Sequence, residues 1–150
     1  MTEILFYHLT ESRLEQALPP LLEKSLERGW RVVVQALDDA RRDALDTVLW
    51  TYSDDSFLPH GLDTEAHADR QPILLTAGQA EAVNDATVRF MVDGAAPPDL
   101  SGYERVVFMF DGHDDRQLAT ARDQWRRLKS EGHALTYWQQ GPGGRWQKKA

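Results

Sequence analysis

Two arginines one helical turn apart, Arg122 and Arg126, flank Trp125 in the run DRQLATARDQWRRLKS. Side chains four apart share a helix face, so both guanidiniums project the same way, and Lys129 continues the row. A guanidinium fork matches the two oxygens of a carboxylate. Set beside an aromatic wall, it suits a carboxylate carried on an apolar or aromatic residue, such as a peptide C-terminus. A phosphate beside a base uses the same parts with weaker support. Leu118, Ala121, Trp125 and Leu128 form the apolar stripe of this helix, so the core competes with the surface for Trp125. Tyr137 and Trp138 follow on a strand, where side chains alternate, so only one of them can share the helix side.

A second cluster is DGHDD, residues 111–115. Asp111 and His113 follow a strand-like run, and a carboxylate–imidazole pair there could hold a metal or act as acid and base. The same letters also build a turn: Asp111-Gly112 reverses the chain, and Asp114 and Asp115 favour a helix start. His8 and His60 have no spacing that ties them to this pair, and His60, between Pro59 and Gly61, reads as a turn residue. A G-x-S-x-G elbow, an H-E-x-x-H pair and both glycine-rich phosphate loops are absent, and the loop after the first strand, HLTES, lacks glycine altogether. With no cysteine, thiolate metal sites and cysteine nucleophiles are excluded. The residues call for no cofactor and no metal.

A third stretch, LWTYSDDSFLPHG (residues 49–61), crowds Trp50, Tyr52, Phe57, Leu58 and Pro59 into what otherwise reads as loop. These groups either plug an edge of the core or form an apolar patch rimmed by Ser53, Asp54, Asp55 and Ser56. Patches of that kind mark protein–protein contacts.

The elements that must position these residues alternate. EILFYHL (3–9), WRVVVQAL (30–37), QPILLTA (71–77), ATVRFMVD (86–93), RVVFMFD (105–111) and HALTYWQQ (133–140) read as strands. Helical spacing is carried by Leu14, Leu18, Leu21, Leu22 and Leu26, by Ala40, Ala44, Leu45, Val48 and Leu49, and by residues 113–132. Thr10 or Ser12 can cap the first helix, with Glu15 completing a capping box. Pro19 and Pro20 inside it predict a kink or a split. Residues 51–71 look irregular, and residues 141–150 read as a loose tail that Trp146 could tie down. Strands alternating with helices predict one α/β domain with a largely parallel sheet covered on both faces. Its shape is Rossmann-like but lacks the glycine turn, so it reads as a scaffold rather than a cofactor site.

The chain of 150 residues carries a net charge of −7, unevenly spread. Residues 116–150 hold eight basic and two acidic side chains, a net of +6, which leaves −13 for residues 1–115. This suggests a local anion-binding surface on a body that repels long polyanions, which argues against direct nucleic-acid binding. Met1 leads straight into a strand-like run with no basic segment or long apolar stretch, which reads as a cytoplasmic protein without membrane contact.

FYHL near the start, LW-x6-FLPH in the middle and F-D … AR-x2-W … G-x4-Y towards the end resemble the chi subunit family of bacterial DNA polymerase III holoenzyme. The resemblance spans nearly the whole chain, and LW … SFLPHG is its most specific part. It implies a non-enzymatic, Rossmann-like adaptor of the clamp-loader assembly. One surface would bind the acidic C-terminal tail of the single-stranded-DNA-binding protein, and another the psi subunit or another clamp-loader or helicase protein, with DNA reached only indirectly. On that pattern Arg122 would pair with the tail's terminal carboxylate. Trp125, at a position where the family can have tyrosine, would wall the pocket together with Arg126 and Tyr137. Trp50, Phe57, Leu58 and Pro59 would form the psi-like face. There are departures. A lysine that some relatives use one turn before Arg122 is Leu118 here, and the segment after His60 differs in length and charge.

Overall fold

The computed structural model describes residues 2–52, 58–79 and 81–150. Among the described residues, eight strands form a single sheet in the order β3-β4-β2-β5-β6-β1-β7-β8. They are β1 (Glu3–Leu9), β2 (Val32–Gln35), β3 (His60–Leu62), β4 (Ile73–Thr76), β5 (Val88–Val92), β6 (Arg105–Asp111), β7 (Ala134–Gln140) and β8 (Trp146–Lys148). All neighbours pair in parallel except β7 with β8. The described connections include the α-helices α1 (Leu14–Glu27), α2 (Asp39–Thr51) and α3 (Asp115–Ser130). The architecture is the expected Rossmann-like α/β.

The central strands are buried on both faces, as β2, β4 and β5 show along their full length. That explains why they are mostly Val, Ile, Leu, Phe and Met, with the buried Gln35, Thr76 and Arg89 as exceptions. Leu5, Leu9, Val34, Phe90 and Met109 point to one face, where Leu18 and Leu22 of α1 and Leu45 and Leu49 of α2 cover them. Ile4, Phe6, Phe108 and Phe110 point to the other, against Ala121 and Leu128 of α3. The chain leaves β1 through α1 over one face and leaves β6 through α3 over the other. The neighbouring strands β1 and β6 therefore form the switch point of the sheet.

Several local readings are corrected. Residues 51–71 contain β3, whose three residues His-Gly-Leu are too few and too polar to show a pattern. The tail is not loose: β8 pairs with β7, the Tyr7 and Trp146 rings meet edge to face at 4.8 Å, and pairing extends to Lys149 N–H on the Tyr137 carbonyl at 2.7 Å. α1 is not split by Pro19 and Pro20; it runs unbroken, with Leu18, Pro19 and Leu22 buried. Its N-cap is Arg13, whose N–H donates to Gln16 Oε1 at 3.2 Å. Ser12 is engaged elsewhere, and Glu15 pairs instead with Arg41 at 2.9 Å.

Candidate functional site

The groove between α3 and β7 assembles what the sequence placed 15 residues apart. Asp114 starts α3 by accepting the N–H groups of Arg116 and Gln117. From there the helical repeat lays Leu118, Ala121, Arg122 and Trp125 along the side facing β7. The parallel register of β1 with β7 sets Phe6 beside Tyr137. Of Tyr137 and Trp138, Tyr137 shares the α3 side, while Trp138 joins the opposite core. The resulting groove has a volume of about 420 Å³, floored by Leu118 and Ala121, walled by Trp125 and Tyr137, and rimmed by Arg122 and Arg126.

Trp125 serves both core and groove. It is half-buried, with its ring at 5.3 Å from Phe6 and 5.7 Å from Tyr137, both near perpendicular. Edge-to-face packing of this kind fixes the indole plane. Arg122 is exposed and forms no ion pair among the described residues, and Arg126 has only a loose contact with Asp123 at 3.9 Å. The rim thus offers guanidinium donors free for an anion.

The sequence did not mark His8 as part of this site. Its Nδ1 lies 2.9 Å from the Tyr137 hydroxyl, and its ring stacks on Phe110 at 5.0 Å. Burial, then His113 and Arg122, pull its pKa below the ordinary value of 6.5. Burial raises that of Tyr137, against an opposing pull from Arg122. The tyrosine therefore keeps its proton near neutrality. Gly112 makes room for this histidine: a Cβ there would collide with the His8 ring and with the Leu9 carbonyl. The glycine of DGHDD is thus required by close approach.

Asp111 and His113 lie at the switch point, yet their contacts build the turn. The Asp111 carboxylate accepts the His113 N–H at 2.8 Å, and His113 Nε2 donates to the Thr10 carbonyl at 2.9 Å. Among the described residues, no three His, Cys, Asp or Glu side chains are grouped to hold a metal. The amides after β1, which cradle phosphate in nucleotide-binding sheets of this shape, are already occupied. Thr10, Glu11 and Ser12 N–H donate to Gln140 Oε1 at 3.1, 3.0 and 3.0 Å, and Gln140 Nε2 donates to Ser12 Oγ at 2.7 Å. Gln140 is buried, so the loop's own strand neighbour fills the place of an anion.

A model of the family described as DNA polymerase III chi subunit, HolC, matches residues 1–136. The chain belongs to that family. The DNA polymerase III subunit chi of Pseudomonas aeruginosa (strain PAO1) is 29% identical over 140 residues, which cover 90% of this chain and 94% of that protein. A probable DNA polymerase III subunit chi of Rickettsia prowazekii (strain Madrid E) is 28% identical over 101 residues. That match covers 67% of this chain and 59% of the Rickettsia protein's length. The family is that of an accessory subunit of DNA polymerase III, with no catalysis of its own.

The second predicted surface of this chi-family chain is less uniform than its letters. Trp50, near the end of α2, is 57% exposed and sits 4.8 Å from the His60 ring. Pro59 is half-buried. Leu58 is in the core at 2% exposure, packed with the α1 and α2 leucines, so it anchors the segment rather than presenting itself. Phe57 lies outside the described residues. His60, read above as a turn residue, is a buried β3 residue. Its Nδ1 donates to the Leu58 carbonyl at 2.7 Å, and its Nε2 meets Asp46 of α2 at 2.9 Å. These contacts clamp Pro59 beside α2 and Trp50. No described helix is long and apolar enough to cross a membrane.

Proposed function

We propose that this protein is a non-catalytic adaptor of the clamp-loader assembly of the replicative DNA polymerase. The α3–β7 groove holds the acidic C-terminal tail of the single-stranded-DNA-binding protein. The observation that carries this reading is the pair of exposed guanidiniums on the rim of a Trp125–Tyr137 pocket, Arg122 with no ion pair among the described residues and Arg126 with only a loose one to Asp123 at 3.9 Å. Arg122 takes the tail's terminal carboxylate, and Trp125 and Tyr137 wall the apolar side chain beside it. Leu118 makes the groove floor apolar at the turn before Arg122, so electrostatic attraction rests on the two arginines. Trp50 and Pro59 form part of a second face for a psi-like subunit or another clamp-loader or helicase protein. DNA is reached only through these partners, in the cytoplasm where replication takes place.

Calorimetric titration with the acidic tail peptide tests this. One-to-one binding that weakens as salt rises is expected, because exposed charges are screened. Arg122→Glu is expected to abolish it. Equal binding by Arg122→Glu and the parent would move the tail elsewhere.

A further inference from the structure

On the sheet face that carries α1, the outer strands β1, β7 and β8 are only partly covered, since α3 lies on the opposite face. A cavity of about 170 Å³ opens there, between the last turn of α1 and the sheet. It shares no residue with the α3–β7 groove. One wall is aromatic: Tyr7 and Trp146, perpendicular to each other at 4.8 Å, and Trp138 beside them. The other wall is cationic. The guanidiniums of Arg28 and Arg105 both lie over the Trp30 ring, at 4.9 and 4.8 Å from its centroid, and Lys24 adds a third positive charge. Arg105 has one carboxylate partner, Glu3 at 3.1 Å. The Arg28 guanidinium has no hydrogen bond or ion pair among the described residues.

We propose that this cavity binds a nucleotide, with the base against Trp138, Trp146 and Tyr7 and the phosphate on Arg28 and Arg105. Arg28, Arg105 and Lys24 line the same cavity, and Glu3, paired with Arg105, is the only carboxylate partner any of them has among the described residues. A phosphate there meets planar guanidinium forks already oriented by stacking on Trp30. Arg105 and Arg28 both act on the Tyr7 hydroxyl, opposing the rise that burial gives its pKa, so the aromatic and cationic walls belong to one electrostatic neighbourhood. Planar rings beside a phosphate-binding fork are what a nucleotide requires, and stacking accepts any base. The protein's net charge of −7 disfavours a long polyanion, so the ligand is a single nucleotide.

The test uses the whole protein, titrated at low salt with deoxyadenosine monophosphate while the five indole N–H resonances are followed by NMR. Saturable shifts at Trp138 and Trp146 are expected, with Trp50 unmoved. The nucleoside without its phosphate is expected to bind several-fold more weakly. Arg28 is exposed, so Arg28→Ala and Arg28→Glu are expected to fold, as a thermal melt will check. Arg28→Glu is expected to weaken binding by about tenfold or more, as for loss of a charge-assisted pair. Arg122→Glu is expected to leave it unchanged. The proposal is overturned if millimolar nucleotide moves no indole signal, or if Arg28→Glu binds like the parent. Shifts confined to Trp125 and lost in Arg122→Glu would overturn it too, since the anion would then sit in the other groove. So would a single-stranded oligomer that binds while the mononucleotide does not.

Discussion

Replacing Gln140 by alanine removes one oxygen that receives three backbone N–H groups and one amide that donates to Ser12. Each such bond contributes roughly 0.5–1.5 kcal/mol net, but three donors sharing one acceptor cannot each count in full, and the freed loop amides regain some water. A loss of about 2–3 kcal/mol results. For a domain of this size that lowers Tm by roughly 4–12 °C. Denaturant unfolding at neutral pH measures the first figure and a thermal melt the second. Three convergent amides without their plug form an anion-binding nest, so inorganic phosphate is expected to stabilise Gln140→Ala more than the parent, since any other anion site is common to both. Gln140→Glu, which keeps an acceptor, is expected to lose less than the alanine variant. A Gln140→Ala protein within about 0.5 kcal/mol of the parent would refute the account, and so would equal stabilisation of both proteins by phosphate.

Trp125→Ala is expected to cost about 2–3 kcal/mol, below the range for a fully buried tryptophan because the ring is half-exposed, and to lose tail binding in the same calorimetric assay. Trp50→Ala, on an exposed ring, is expected to change stability by less than about 1 kcal/mol while abolishing capture of a psi-like partner in a pull-down. Gly112→Ala is expected to unfold the protein at a lower temperature, since the added methyl collides with His8 and the Leu9 carbonyl. The lowered pKa of His8 means that the unfolded chain binds its proton more readily than the folded one. The stability it contributes is therefore complete above pH 6.5 and is lost as pH falls through the depressed folded value. His8→Gln is expected to flatten that part of a stability–pH curve, and an unchanged slope would contradict the assignment. A carboxylate arriving beside Arg122 favours His8 protonation, so tail binding near pH 6 is expected to take up a proton, visible as a buffer-dependent binding heat.

What the sequence displayed depended on how locally each feature is written. β1 and β6 were readable residue for residue because each carries a buried apolar run, residues 4–6 and 106–110. β3 and β8 were not, because a three-residue strand of His-Gly-Leu or Trp-Gln-Lys has no pattern of its own and exists only by pairing with β4 or β7. The cap of α1 was misplaced for a related reason. Ser12 has the right chemistry, but its hydroxyl is taken by Gln140, 128 residues away. No local rule weighs that competition.

The two candidate surfaces divide along the same line. Arg122, Trp125 and Arg126 share a helix, so their spacing alone set them on one side. Tyr137 joined them through strand alternation. His8 reaches the site through the β1–β7 register and the missing side chain of Gly112, neither of which is visible along the chain. In the stretch around Trp50 the apolar letters read either as a plug of the core edge or as one exposed patch, and the structure divides them: Leu58 lies in the core, Pro59 is half-buried and Trp50 is exposed. Leu58, just before β3, is 2% exposed and fixes the segment, whereas Trp50, near the end of α2, is 57% exposed. Leu58→Ala is thus expected to act on the fold, and Trp50→Ala chiefly on the proposed partner face.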